Sequence, residues 1–254
     1  MTKARIIAAA LVPFVACTAV WAQEDGQEKK WSVGALGLVS VSPFAGEDTE
    51  ILPVPYLAYR GERFYLEGLE AGYHLVEPMR GPGTQFVADV IASARMTPGT
   101  SRDKVTLDAG LRLGVRGKFG SLTATGLHDV TGEHDGMELR ADYSYTFMGD
   151  DYFITPSVGI SWQNRKLANH MWGVTADQHA DMIADGDDVV LPVYQLDGSA
   201  VNYEAGLTAI YLVNDRVNLI GFSRATYLDK DVRANPAIEK KYDLTIGLGI
   251  AYSF

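Results

Sequence analysis

The C-terminal end of the chain alternates strictly between apolar residues and small or polar ones. Between Asp243 and Phe254, every even position from Leu244 onward is apolar and every odd position from Thr245 onward is small or polar. The same period of two recurs upstream, in the segments 105–116, 139–147, 152–163 and, less regularly, 201–213. Alternation sustained over such lengths is typical of half-buried β-strands. The pattern therefore predicts an all-β protein.

The length of these runs favours strands that cross a membrane. Strands of soluble sandwiches are usually about 5–6 residues long, whereas a membrane barrel needs roughly 9–11 residues for each crossing. Aromatic residues crowd the ends of the apolar faces, as the interfacial girdles of such barrels do; they are Tyr143, Tyr145, Phe147, Tyr152, Trp162, Tyr203, Tyr211, Tyr252 and Phe254. Beyond the first segment of the chain, no apolar run approaches the length of a spanning helix. The remaining way to span a bilayer is a closed transmembrane antiparallel β-barrel.

The connections between the runs predict the strand number and the orientation. Tight turns at 60–63, 117–120, 148–151 and 213–216 contrast with long linkers at 41–50, 97–103, 128–136, 164–199 and 228–241. Outer-membrane barrels have short periplasmic turns and long external loops, and from residue 97 the two kinds alternate. This alternation places Phe254 at the periplasmic side. An even strand count requires the segment 63–77 to be split at 67–70, which predicts about twelve strands.

The first 22 residues have the features of a cleaved secretory signal. Lys3 and Arg5 precede an apolar run, and Val20–Ala22 offers a signal-peptidase site after Ala22. Lipidation at Cys17 is a weaker alternative, since its lipoprotein box is incomplete. The sequence thus predicts a signal peptide, 1–22, and one outer-membrane barrel domain, 23–254, without cysteine and hence without disulfides or thiolate metal sites.

The charge of the chain excludes some partners. The full chain carries 22 Lys and Arg against 32 Asp and Glu. Removal of 1–22 would leave 20 basic residues and a net charge of −12. Because nucleic-acid binding needs basic surface, the sequence predicts no nucleic-acid partner.

Charged residues on the polar faces of the strands are the candidate site. We expect six of them to face the lumen: Asp108, Arg112, Arg116, Arg140, Asp142 and Glu204. The simpler interpretation is structural pairing, for instance of Asp108 with Arg140. The alternative is a selective constriction formed by the three arginines. We favour pairing.

Metal and catalytic sites are not predicted. The segment 128–135 gathers His and acidic residues and 181–188 gathers aspartates, but without the spacing of known zinc or calcium motifs they are interpreted as solvated loops. The chain has no Gly-x-Ser-x-Gly elbow and no His-x-Ser pair. The sequence therefore predicts a non-enzymatic protein with no cofactor, no metal and no catalytic residues.

Four blocks in order resemble the MipA/OmpV family. They are "SPFAGEDTEILPVPYLAYRGERFYLEG" (42–68), "VTGEHDGMELRADYSYTF" (130–147), "PSVGISWQNRKLANHMWGV" (156–174) and the terminal "GLGIAYSF". The resemblance implies a protein of the Gram-negative cell outer membrane. It also implies a scaffold for a lytic transglycosylase and a murein synthase, or a role in envelope maintenance. A small porin-like solute channel or an adhesin is the alternative, and a lipid-modifying enzyme has the lowest weight.

Two further partners follow from a barrel of this kind, namely outer-membrane lipid and the barrel assembly machinery. Tyr252 and Phe254 resemble the C-terminal aromatic signal that this machinery recognises.

Overall fold

The computed structural model describes residues 30–47, 49–78, 83–96 and 105–254, and within them thirteen strand segments and three helices. The predicted signal peptide, with Cys17, lies outside the described residues. The strands are β1 (Trp31–Val41), β2 (Glu50–Arg60), β3 (Phe64–Glu67), β4 (Glu70–His74), β5 (Gln85–Met96), β6 (Val105–Gly117), β7 (Gly120–Asp129), β8 (Met137–Ser144), β9 (Phe147–Met148), β10 (Tyr152–Gln163), β11 (Ala200–Leu212), β12 (Val217–Tyr227) and β13 (Tyr242–Ser253). The helices are α1 (Arg165–Trp172), α2 (Ala176–Asp185) and α3 (Lys230–Arg233). None of the described helices is long and apolar enough to cross a membrane.

The strands form one closed antiparallel barrel. Each strand pairs with its neighbours in the chain, and β13 pairs with β1 to complete the ring. Both β8 and β9 pair with β10, so they are two pieces of one crossing. The thirteen segments therefore make twelve crossings, which confirms the prediction from turn parity. The predicted split of 63–77 is also confirmed: β3 and β4 are joined at Gly68, whose φ of +59° suits glycine.

Residues that alternate between apolar and polar in the sequence alternate between the outer and the inner face of the barrel wall. In β13 the even residues from Tyr242 to Tyr252 lie mainly outward, with Leu248 69% exposed, while the odd residue Thr245 is 1% exposed. Exposed apolar side chains on the outer surface are what a lipid environment requires. The strands thus separate an apolar exterior from an interior that excludes solvent.

The two ends of the barrel differ in their connections. Trp31 and Phe254 exchange two backbone hydrogen bonds, 3.2 and 2.9 Å, at the end that carries the short turns. We call this the periplasmic end, because short turns face the periplasm in outer-membrane barrels. The long connections that contain α1, α2 and α3 lie at the opposite, outer end.

A folded cap with its own core covers part of the outer end. Its apolar core joins residues of the β1–β2, β10–β11 and β12–β13 connections, namely Phe44, Leu167, Ala168, Met171, Trp172, Val174, Met182, Leu191, Leu196, Ala200, Leu228, Val232 and Ala237. The sequence encodes both cap helices locally: Asn164 accepts the Leu167 N–H at 3.0 Å, and Thr175 forms a capping box with Gln178. Burial and the carboxylates of Asp231 and Asp197 raise the pKa of Tyr194, a cap residue.

Candidate functional site in the barrel interior

Acidic and basic side chains fill one side of the barrel interior. The buried ones are Glu67, Glu70, Asp89, Asp108, Asp129, Glu138, Arg140 and Asp142. Together with Arg95, Arg112, Glu204, Arg224 and Asp243, which also face inward, we call them the charged wall. Buried charges are tolerated where they are paired and hydrogen-bonded, so their partners decide what this side of the interior does.

Arg112 and Glu70 form a bidentate pair in the charged wall. Two guanidinium nitrogens of Arg112 donate to the Glu70 carboxylate at 2.9 and 2.8 Å. The Tyr65 hydroxyl donates to Glu70 at 3.0 Å and accepts from Arg112 at 3.1 Å. Glycine at position 72 makes room for this tyrosine, because a Cβ there would lie 2.3 Å from the Tyr65 ring. The arrangement satisfies both charges without water.

Arg95 of β5 contacts both its neighbouring strand and a more distant one. Its Nε donates to Asp108 on β6 at 2.7 Å, and one terminal nitrogen donates to Glu138 on β8 at 2.7 Å. The predicted pairing of Asp108 with Arg140 is therefore wrong. Arg140 donates instead to Asp142 at 3.3 Å. Because Arg95 reaches across two intervening strands, its partners depend on the curvature of the closed barrel.

Arg140 lies at the centre of the charged wall. Besides Asp142, its guanidinium is attracted by the carboxylates of Glu204, Glu138 and Glu70. Glu204 also accepts from Arg224 at 3.0 Å. Glu204, Glu138 and Glu70 each also have another arginine partner, so Arg140 belongs to a network of alternating charges and not to an isolated pair.

The register places the residues of the charged wall in a row across the barrel. Arg112 lies opposite Thr125, and Thr125 lies opposite Arg140. The row continues from Arg140 to Ser161 and then to Asn202. Arg116 is four residues further along β6, about 13 Å towards the periplasm. Two of the three predicted arginines thus share a level, each with a carboxylate partner, and the third is half-buried near the rim.

Several residues of this site escape the sequence reasoning. Glu70 lies in a strand of only five residues, too short to show alternation. Arg224 lies in a run whose alternation is imperfect. Arg95 and Glu138 lie at inward-facing positions of their strands, which the period-two alternation indicates. No feature of the sequence indicates that these two residues pair with each other.

A small cavity lies within the row, beneath the cap. It has a volume of about 100 Å³, and Met171 and Trp172 of α1 contribute to its lining. Charged residues of both signs line it, namely Arg95, Glu138, Arg140, Glu204, Arg224 and Asp243. Two buried donors of the lining, Arg140 Nε and Asn202 Nδ2, find no acceptor in the described part of the chain. The Trp172 indole donates to Gln163 at 3.0 Å and so fastens the cap to the barrel.

The connection between β7 and β8 folds back into the barrel. Asp129 and His134 are buried beside Asp108, so the interpretation of 128–135 as a solvated loop is wrong for these two residues. His134 Nδ1 accepts the N–H of Gly136 at 2.9 Å, which leaves the ring proton of a neutral imidazole on Nε2. Nε2 then faces Asp108 Oδ1 at 3.2 Å, and neither atom has a hydrogen-bond partner among the described residues. A protonated nitrogen cannot ligate a cation, so this cluster fits a His–Asp contact better than a metal centre.

The predicted assembly residues lie at the periplasmic rim, apart from the interior site. Tyr252 and Phe254 are 41% and 57% exposed, and their ring centroids are 6.3 Å apart. The Tyr252 hydroxyl accepts from Arg216 at 3.0 Å. Their side chains are thus presented on the outside of the barrel.

Comparison with known proteins identifies relatives of the same length. The chain is 26% identical to the MltA-interacting protein of Escherichia coli (strain K12) over 100% of both chains. It is 25% identical to the outer membrane protein OmpV of Vibrio cholerae, over 89% of this chain and 88% of that protein.

Solved structures show a weaker likeness. The outer membrane channel DcaP of Acinetobacter baumannii matches with a TM-score of 0.36 and 11% identity, over 89% of this chain and 72% of that one. OprB of Pseudomonas putida matches with a TM-score of 0.34 and 12% identity, over 80% of this chain and 59% of that one. These scores are too low to transfer a property of either structure.

The family comparison covers almost the whole barrel. The model of the family described as MltA-interacting protein MipA matches residues 33–254. The closed barrel and the relatives named as outer membrane proteins agree with this match. The chain is an outer-membrane β-barrel and belongs to the MipA family.

Proposed function

We propose that the protein is a non-enzymatic scaffold, which holds a lytic transglycosylase against the inner surface of the outer membrane. The name of the Escherichia coli relative supports a partner of this kind. A murein synthase is the second partner that we propose, because a hydrolase and a synthase act on the same polymer. In this proposal the barrel provides a membrane anchor and a fixed set of periplasmic turns.

The filled interior is the observation that carries the proposal. Paired charges occupy one side of the interior, an apolar cluster lines the other, and the cavity beneath α1 lies on the charged side. The cavity of about 100 Å³ is smaller than the roughly 300–1,000 Å³ of typical ligand sites. An interior filled in this way leaves little space for a solute to pass, and it holds the barrel wall and its turns in place. It therefore favours a scaffold over a channel.

The short periplasmic turns are the surface that a soluble enzyme would meet. The β6–β7 turn exposes Lys118 and Phe119, the latter 47% exposed. The β11–β12 turn exposes Val213, which is 50% exposed, next to Asn214 and Arg216. Exposed apolar side chains beside charged ones are typical of interface centres with a polar rim.

Binding of a purified transglycosylase of the MltA type to the barrel in lipid nanodiscs tests the proposal. We expect Phe119→Ser combined with Val213→Ser to weaken binding by about tenfold, a loss of about 1.4 kcal/mol. Ile183→Ser is the matched control, because this residue is 60% exposed on α2 at the outer end. Failure of the wild-type barrel to bind the enzyme, or equal weakening by the control, contradicts the scaffold.

Planar-bilayer recording separates scaffold from channel. A scaffold with a filled interior should show no single-channel steps at any salt concentration. Regular steps that scale with salt would favour the solute channel instead.

We also propose that Phe254, with Tyr252, is the signal for the barrel assembly machinery. Deletion of Phe254 should lower the amount of folded barrel in the outer membrane, while the chain still reaches the periplasm. Heat-modifiable migration on gels measures the folded fraction. An undiminished folded fraction would contradict the assignment.

A further inference from the structure

Among the described residues, the strands between β2 and β5 do not extend into the outer half of the barrel wall. β3 pairs only with Ala58–Arg60 of β2, and β4 pairs only with Asp89–Ser93 of β5. Within the described ranges, no strand pairs with Glu50–Tyr56 on that side of β2. Three strand spacings, about 14 Å, separate β2 from β5 at the hairpin, and above it the described residues place no strand in the opening between them. We call this opening the notch.

Two prolines lie on the β2 edge of the notch. The Arg60 N–H donates towards β1, to Lys30 C=O, whereas Leu57 C=O accepts from Gly68 on the other side. Because backbone groups alternate between the two neighbours of a strand, the odd residues of β2 direct theirs towards the notch. Pro53 and Pro55 are two of these odd residues.

The prolines suit an edge that stays open. Proline has no N–H, so it is confined to edge strands and prevents a further strand from pairing there. In hydrocarbon each unsatisfied N–H is costly, and the two prolines remove two donors from this edge. The sequence thus adapts β2 to an unpaired side within the membrane.

The surface behind the notch is apolar on both sides of the wall. Ile51 is 75% exposed on the outside. Leu52 and Val54, its neighbours on the inner face, are only partly buried and pack against a cluster that contains Leu36, Leu38 and Tyr56. An apolar surface therefore runs from the lipid-facing side around the edge of β2 into the barrel.

The tip of the β3–β4 hairpin lies near the interior cavity. Ala94 donates its N–H to Leu69 at the tip of the β3–β4 hairpin, which is the last contact between β4 and β5. Ala94 and Met96 alternate outward along β5, yet both line the cavity beneath the cap. The outer end of β5 therefore lies beside both the cavity and the tip of the hairpin.

We propose that the notch admits an acyl chain of an outer-leaflet lipid, which lies on the inner apolar face of β2. The hydrocarbon of the bilayer borders the notch, so an apolar chain enters without leaving an apolar environment. A polar solute would first have to cross hydrocarbon. The apolar surface that continues to Leu52 and Val54 can contact an acyl chain. The paired charges on the opposite wall provide no apolar contact for it. This inference does not depend on the scaffolding role.

Nitroxide labels compare the two sides of the interior directly. Val54→Cys places a label behind the notch, Thr125→Cys places one on the inner face of a complete wall, and Leu57→Cys places one on the lipid-facing side of β2, all with Cys17→Ser. In nanodiscs we expect oxygen collisions at position 54 to be comparable with those at 57 and several-fold more frequent than at 125. A label at 54 that is as shielded as at 125, or that collides more with a water-soluble nickel chelate than with oxygen, overturns the proposal.

A second measurement uses the unmodified chain. Phospholipid with a photoreactive diazirine in its acyl chain is reconstituted with the barrel, irradiated and mapped by mass spectrometry. We expect adducts on Leu52 and Val54 as well as on outward residues such as Ile51. Adducts confined to outward residues would show that the chain stays outside, and the proposal would fail.

Discussion

The interior of the barrel has two walls that are stabilised by different forces. The wall built by β1, β2, β12 and β13 buries Leu36, Leu38, Tyr56, Ala58, Ile220 and Ala251 against one another. The charged wall, most of whose residues lie on the strands from β4 to β11, buries arginines and carboxylates in pairs, and Arg224 of β12 joins it through Glu204. Both walls belong to one sheet and both exclude solvent.

The two walls respond differently to the loss of one side chain. Apolar packing loses contact area in proportion to what is removed. Removal of one partner of a buried ion pair leaves the other charge unpaired in a medium of low dielectric constant, so the full energetic cost follows from a single substitution. The difference shows that the polar face of a membrane barrel need not be a uniform aqueous lining.

Arg112→Met should have the largest effect. It leaves the Glu70 carboxylate, whose side chain is 2% exposed, without its cation. We expect the free energy of unfolding to fall by about 3–5 kcal/mol, measured by denaturant titration of the barrel refolded in vesicles. The double variant Arg112→Met with Glu70→Leu should recover most of this loss, because no charge then remains buried. A double variant no more stable than the single one contradicts the role of pairing.

Leu38→Ala tests the apolar wall. Leu38 is 0% exposed, so its truncation should cost about 2–5 kcal/mol by the same titration. Leu57→Ala is the control, because Leu57 is 40% exposed on the lipid-facing side. If both variants lose the same stability, the inner cluster contributes no more than the outer surface does.

Gly247→Ala tests how closely the apolar wall is packed. A Cβ at this position would lie 2.1 Å from Cε1 of Phe222, so the ring must move. We expect a loss of about 1–3 kcal/mol, which Phe222→Leu should partly restore. Gly37→Ala is the control, since the nearest atom to its Cβ would be 3.8 Å away. If the two alanine variants lose the same stability, the wall is not closely packed around Gly247.

Trp172→Phe should have the smallest effect, at the boundary between the cap and the charged wall. It removes the indole N–H that donates to Gln163 at 3.0 Å but keeps an aromatic ring in the cap core. We expect a loss of about 1 kcal/mol, seen as faster hydrogen exchange in α1. Tyr203→Phe, at a residue that is 58% exposed, should leave this exchange unchanged. Unaltered exchange in Trp172→Phe would show that the cap does not depend on this hydrogen bond.

Most of the fold could be predicted from the sequence because its signals are local. Alternation along 243–254 assigns each residue to a face, and turn lengths assign each strand a direction. The split at Gly68 followed from parity alone and is correct. Helix α2 also has local signals, with Thr175 at its start and Gly186 in the left-handed conformation at its end.

The contents of the barrel could be predicted only in part. Period two predicts that Arg112 and Arg140 face the interior, but it does not assign them partners. Arg95 reaches Glu138 from a strand three positions away, and His134 enters the barrel from a connection that looks hydrophilic in sequence. Such contacts join residues through curvature that no local pattern contains.

By itself, the sequence determined that this chain forms strands, how many there are and which residues face lipid. The tertiary structure alone decided that one inner wall is apolar and the other charged, and that the short hairpin from Phe64 to His74 leaves a notch beside β2. The physical reason is the range of the interactions. Face and turn are set by neighbours along the chain, whereas pairing across the interior depends on register, closure and stagger of the whole ring.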